Sequence, residues 1–74
     1  MKLPKYLVIY EREGRSYGAF VPDLPGCVAV GKSLPIVRKR IRDAMAMHIE
    51  DMIERGETLT KPTAESEYVR AIPA

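Results

Sequence analysis

Four cationic side chains crowd five positions of this chain, Arg38, Lys39, Arg40 and Arg42. Such a run can hold phosphate or an acidic protein surface. The same residues serve equally as a solvated helix face, or pair with Glu50, Asp51 and Glu54 of another subunit. On a helix Arg38 and Arg42 stack at i,i+4 while Lys39 and Arg40 turn to other sides, so no sharp basic stripe results. Tyr6, Tyr10, Tyr17 and Tyr68 are the second candidate set. Exposed tyrosines offer platforms for stacked bases, and a sheet-face patch of them also suits contact with a partner protein. Self-association is the reading favoured here, because a large aromatic patch on a monomer is unusual.

The remaining reactive residues point away from catalysis. Cys27 is the one cysteine and His48 the one histidine, which excludes an internal disulfide and cannot fill a tetrahedral zinc site. No basic neighbour in sequence lowers the thiol pKa, so Cys27 reads as a small apolar residue opening a strand. His48 falls on the apolar side of a helix near Met45 and Met52, with no nucleophile arranged beside it. Met45, Met47 and Met52 are expected to fill gaps in the core. Gly31-Lys32-Ser33 lacks the preceding glycines of a phosphate-binding loop. No catalytic residue, metal or cofactor is expected.

The chain that must position these groups has 74 residues, enough for one domain, spanning 1–74. A chain this short buries only about 60% of its unfolded surface. Disulfides, a metal or oligomerisation usually make up the difference, and the first two are excluded above. A homodimer or higher oligomer is therefore expected. No apolar run approaches the roughly 20 residues that span a bilayer, and Met1 to Lys5 does not open a secretory signal. The expectation is a cytoplasmic protein without membrane contact. The net charge is +2, but residues 1–42 hold nine Lys/Arg against three Asp/Glu, and residues 43–74 hold three against seven. That asymmetry suits a partner contact at one end, or head-to-tail pairing of copies.

Lys5 to Glu11 is rich in aromatic and β-branched residues and predicts a strand. Tyr6, Val8 and Tyr10 share one face; Leu7 and Ile9 share the other. Gly14 lies in a hairpin turn leading to a second strand, Ser16 to Val21. It sets Tyr17, Ala19 and Val21 opposite Gly18 and Phe20. Pro22 and Pro25 fix φ and withhold donors, which stops strand pairing, and Gly26 lets the chain turn into a third strand, Cys27 to Val30. Ser33 is a helix N-cap and Pro35 falls harmlessly in the first turn. Apolar residues then recur at helical spacing through Val37, Ile41, Met45, Ile49 and Ile53, until Gly56 stops the helix. Glu57 to Glu67 is a polar loop, and Tyr68 to Ile72 reads as a fourth strand.

The predicted fold is α+β with element order β-β-β-α-β. A right-handed crossover gives a four-stranded mixed sheet in the order 3-2-1-4, with one long helix on one face. The uncovered face must meet something else, most simply another copy.

Pro22-Asp23-Leu24-Pro25-Gly26-Cys27, between two short strands and followed by Gly31-Lys32-Ser33-Leu34 and a long helix, resembles the hallmark segment of the HicB family. Its members are the antitoxin partners in bacterial toxin–antitoxin pairs. The likeness extends to Tyr10-Glu11, the Gly14 hairpin, Tyr17-Gly18-Ala19-Phe20, the Arg55-Gly56-Glu57 helix exit and Pro62. It implies a partial ribonuclease H-like fold and inhibition of a small mRNA-cleaving toxin of the HicA type by steric occlusion. Two-metal nuclease chemistry needs carboxylates that converge to hold cations about 4 Å apart, whereas Glu11, Asp43 and Glu67 are scattered. Full-length members carry a DNA-binding module for which this chain leaves no room, so DNA binding is not expected. Where family helices open with acidic residues, this one opens with Arg38, Lys39, Arg40 and Arg42. The interface expected with toxin or self is Tyr6, Tyr10, Tyr17, Tyr68, Arg38, Lys39 and Arg42. The alternatives are an RNA-binding module using the basic helix start, and an orphan oligomerising domain.

Overall fold

The computed structural model describes residues 3–73. Strand β1 (Ile9–Glu13) turns through Gly14-Arg15 into β2 (Ser16–Phe20). The register pairs Glu13 with Ser16, Arg12 with Tyr17 and Ile9 with Phe20. Gly14 takes φ of +61° at the first of the two turn positions, which suits the right-handed twist of a tight hairpin. Strand β3 (Val28–Gly31) pairs antiparallel with β2. The sheet has three strands in the order β1-β2-β3.

Between β2 and β3 the Pro22–Gly26 segment folds on itself. Leu24 N–H donates to the Val21 carbonyl at 3.0 Å, and Cys27 N–H donates to the Leu24 carbonyl at 3.0 Å. Gly26 sits at φ +85°, a region that L side chains avoid. The turn drives Leu24 inward, where it is fully buried.

Helix α1 (Leu34–Glu54) begins where the Ser33 hydroxyl accepts the Ile36 N–H at 3.3 Å, satisfying a donor that the first turn leaves free. It ends where Gly56, at φ +71°, lets the chain turn away. Its Val37 and Ile41 meet Ala19, Val21, Leu24 and Cys27 in a core of six buried side chains. Tyr6, Val8, Tyr17, Ala29, Leu34, Ala44, Met45 and Ile49 pack around it. The Arg40 guanidinium donates to the Val30 carbonyl at 2.8 Å and ties the helix to the end of β3.

Two expectations are corrected. The sheet is not four-stranded: Tyr68 to Ile72 forms no strand, and order 3-2-1-4 is replaced by three antiparallel strands. Tyr68, Val69 and Ile72 are 75% or more exposed. Fixing each backbone residue costs about 1–2 kcal/mol, and with no layer of side chains over this segment, apolar burial does not offset that cost. Met47 does not fill the core but stands exposed on the outer side of α1.

Candidate functional site: the open sheet face

Alternation along the strands sorts every sheet residue to one of two faces. Tyr10, Arg12, Tyr17, Ala19, Ala29 and Gly31 lie on the side of α1. Ile9, Glu11, Glu13, Gly18, Phe20, Val28 and Val30 lie on the other side, and the register aligns Ile9 with Phe20 and Phe20 with Val28 in one row. At its β3 end the row is open, Val28 being 63% exposed and the adjacent Val30 69%, while Ile9 and Phe20 are half-buried. Glu11, Glu13, Gly18, Phe20, Val28 and Val30 line a shallow concavity of ≈ 320 Å³ there. The result is an apolar strip with a carboxylate rim at one edge. Aromatic and β-branched side chains on an uncovered face of this kind have the composition that a protein contact uses.

The tyrosines are distributed differently. Tyr6 and Tyr17 pack against the core on the helix side. The Tyr10 ring lies 5.9 Å beneath the Arg38 guanidinium, and Arg12 stands 5.9 Å over Tyr17, both within cation–π range. Tyr68 belongs to the exposed C-terminal segment, whose Ser66 to Tyr68 lie beside Leu7 to Tyr10. The four rings therefore do not share one surface.

Nor do the basic residues. Lys39 is paired with Asp43 at 3.0 Å, Arg40 with the Val30 carbonyl and Arg38 with Tyr10, which leaves Arg42 free of an ion pair among the described residues. Among those residues, no three His, Cys, Asp or Glu side chains converge on a point where a metal could sit. Burial pushes the Cys27 thiol above its ordinary pKa, which makes its reactive thiolate scarce.

The segment after α1 is strapped over the Pro22–Gly26 turn. Asp23 accepts hydrogen bonds from Thr63 N–H (3.0 Å), the Thr63 hydroxyl (2.9 Å) and Ala64 N–H (3.0 Å). The Tyr6 hydroxyl donates to the Thr60 carbonyl. The Ala64 and Thr63 hydrogen bonds hold the Asp23 carboxyl below its usual pKa. Burial, helped by the Asp23 charge, raises that of Tyr6. The strap meets the molecule at Tyr6 and Asp23, while Val28 and Val30 on the open sheet face stay exposed.

The open-face valines and Phe20 were missed as a site because strand alternation shows two faces without showing which one the helix takes. The signal available was Val28-Ala29-Val30, where two large residues flank a small one. The small residue faces the helix, and the two large ones are left outside.

No helix of the described residues is long and apolar enough to cross a membrane. Residues 6–73 match the family model of the HicB-like antitoxins of bacterial toxin–antitoxin systems. An uncharacterised 14.9 kDa protein from the rep-hol intergenic region of Haemophilus phage HP1 is 33% identical over 64 residues, 86% of this chain and 48% of the phage protein. A UPF0150 protein of Helicobacter pylori is 36% identical over 44 residues, 60% of this chain and 61% of its own length. Another from Thermotoga maritima is 33% identical over 45 residues, 61% of this chain and 60% of its own. The chain thus spans about half to three fifths of these relatives. No solved structure gives a significant match. With its Pro-Asp-Leu-Pro-Gly turn, Ser-capped helix and match over residues 6–73, the chain belongs to the HicB-like antitoxin family.

Proposed function

We propose that this chain binds and inhibits a small mRNA-cleaving toxin of the HicA type in the bacterial cytoplasm, and that the open sheet face makes the contact. The observation that carries the reading is the strip of Ile9, Phe20, Val28 and Val30 beside Glu11 and Glu13. A toxin that cleaves mRNA must hold a phosphate backbone, which calls for basic side chains on its surface. An apolar strip supplies desolvated contact area, while a carboxylate rim steers a basic partner and fixes its register. Inhibition then follows by occlusion: a toxin surface covered by this sheet cannot admit RNA, and no bond is made or broken by the antitoxin.

RNA binding by the basic helix start has less support, because three of the four cations there already have partners within the chain. The test is purification of the protein from its native cells at moderate salt, followed by stripping of whatever co-elutes. The proposal expects a stoichiometric small basic protein that cleaves mRNA once released and is silenced when the chain is added back. Recovery of RNA without such a protein would reject it.

A further inference from the structure

Helix α1 carries its charges against its own dipole. Its first turn holds no acidic residue and its last turn no basic one, whereas the partial charges of helix ends favour the reverse. Arg38, Lys39, Arg40 and Arg42 lie in the first half with Asp43 alone against them; Glu50, Asp51 and Glu54 lie in the second. In an isolated domain this order is mildly destabilising.

The order becomes favourable once the helix faces a reversed copy of itself. Arg38, Arg42, Ala46, Glu50 and Glu54 fall at successive steps of four, so they form one ridge along the helix surface, and all five are exposed. Read from either end about Ala46, the ridge is charge-antisymmetric: two cations, a methyl group, two anions. The neighbouring ridge is Lys39, Asp43, Met47, Asp51 and Arg55. It neutralises itself, through Lys39–Asp43 at 3.0 Å and Asp51–Arg55 at 3.2 Å, around the exposed Met47. Among the described residues Arg42, Glu50 and Glu54 have no ion-pair partner, so the first ridge is the one left unmatched.

We infer that two copies of this chain associate through antiparallel α1 helices, with the two-fold axis passing by Ala46. Arg42 then faces Glu50 of the partner and Arg38 reaches toward the partner's Glu54, each pair occurring twice, as an isologous interface requires. Aligning the two ridges sets the helices at about 50° to one another, the packing class in which i±4 ridges run together. Ala46 at the crossing permits close approach of the backbones. On one flank of the ridge, Met45, Ile49 and Ile53 border an apolar groove of ≈ 290 Å³ closed by Leu3 and Tyr6. Two-fold symmetry brings this flank of each copy beside that of the other, so apolar area is buried next to the ion pairs. The interface lies on the opposite side of the molecule from the open sheet face and is independent of the toxin reading.

The test is sedimentation equilibrium of the whole chain and of charge variants, with circular dichroism as a folding control. Wild type is expected to dimerise, more weakly as salt rises. Arg42→Glu and Glu50→Arg, each alone, should weaken the dimer at least about tenfold by setting like charges opposite each other twice. The double variant Arg42→Glu/Glu50→Arg should recover it. Ala46→Cys should cross-link to itself on oxidation while Asp43→Cys does not, with buried Cys27 silent in both. A monomeric wild type, single reversals without effect, or a double variant no better than the singles would overturn the inference.

Discussion

Asp23 and Thr63, forty residues apart, are joined twice: one carboxylate oxygen accepts the Thr63 N–H at 3.0 Å and the other accepts its hydroxyl at 2.9 Å. A third bond comes from Ala64 N–H. The chain after α1 contributes no strand, so this side chain is what fastens it to the Pro22–Gly26 turn.

The fastening is pH-dependent with a definite sign. Asp23 has its folded pKa depressed below its ordinary value, first by the Ala64 hydrogen bond and then by Thr63. Its contribution is therefore complete above the ordinary aspartate range and is lost as pH falls through the depressed value. Amide hydrogen exchange at Thr63 and Ala64, followed by NMR from neutral to acid pH, should show protection disappearing over that interval. Asp23→Asn should weaken protection of these amides at neutral pH, remove its dependence on pH and leave that of Val37 and Ile41 unchanged.

Two glycines are required for different reasons, and their alanine variants should behave differently. At Gly26 a Cβ meets open space, but φ is +85°, so Gly26→Ala should cost about 1–2 kcal/mol of backbone strain. At Gly31 a Cβ would lie 2.9 Å from Ile36 Cγ2 and 3.3 Å from the Val37 nitrogen. Gly31→Ala should cost about 1–3 kcal/mol by overpacking. Adding Ile36→Ala should relieve part of the second cost and none of the first. Urea unfolding of the two double-mutant cycles distinguishes these outcomes.

Leu24 is the keystone of a small core. It is fully buried, and Leu24→Ala should lose about 2–5 kcal/mol. A domain of this size has little more than that to lose, so the variant should be largely unfolded near body temperature, as read by thermal melting.

The turn, the hairpin and the helix were legible because each is fixed by neighbours in sequence. Gly14 and Gly26 supply positive φ, Pro22 and Pro25 stop pairing, and Ser33 caps a segment whose apolar spacing is helical. Alternation also sorted the strand residues correctly into two faces. The features it could not give depend on distant parts. Tyr68 to Ile72 has strand-forming residues, but a strand needs a layer to bury them, and here none is present. Which face α1 covers follows from the small residues Ala19, Ala29 and Gly31, which let the helix approach; alternation alone does not rank the two faces. The helix took the tyrosine side, and the candidate contact moved to Phe20, Val28 and Val30.

Glu11 and Glu13 should act on the rate of encounter more than on the lifetime of the complex. Rim charges steer association, so Glu11→Lys/Glu13→Lys should slow binding of a basic toxin about tenfold or more at low salt, with a smaller difference at high salt. Stopped-flow binding across a salt series measures both effects.

One titration tests the open sheet face as the toxin contact. Increasing amounts of wild type, Val28→Glu/Val30→Glu and Arg42→Glu would be added to the isolated toxin while cleavage of mRNA is followed. Val28 and Val30 contribute little to the core, being largely exposed, so the double variant should fold as wild type does, by circular dichroism. The account predicts that wild type and Arg42→Glu abolish cleavage near equimolar ratio, while Val28→Glu/Val30→Glu requires at least about a hundredfold more. Equal inhibition by the folded double variant would contradict it.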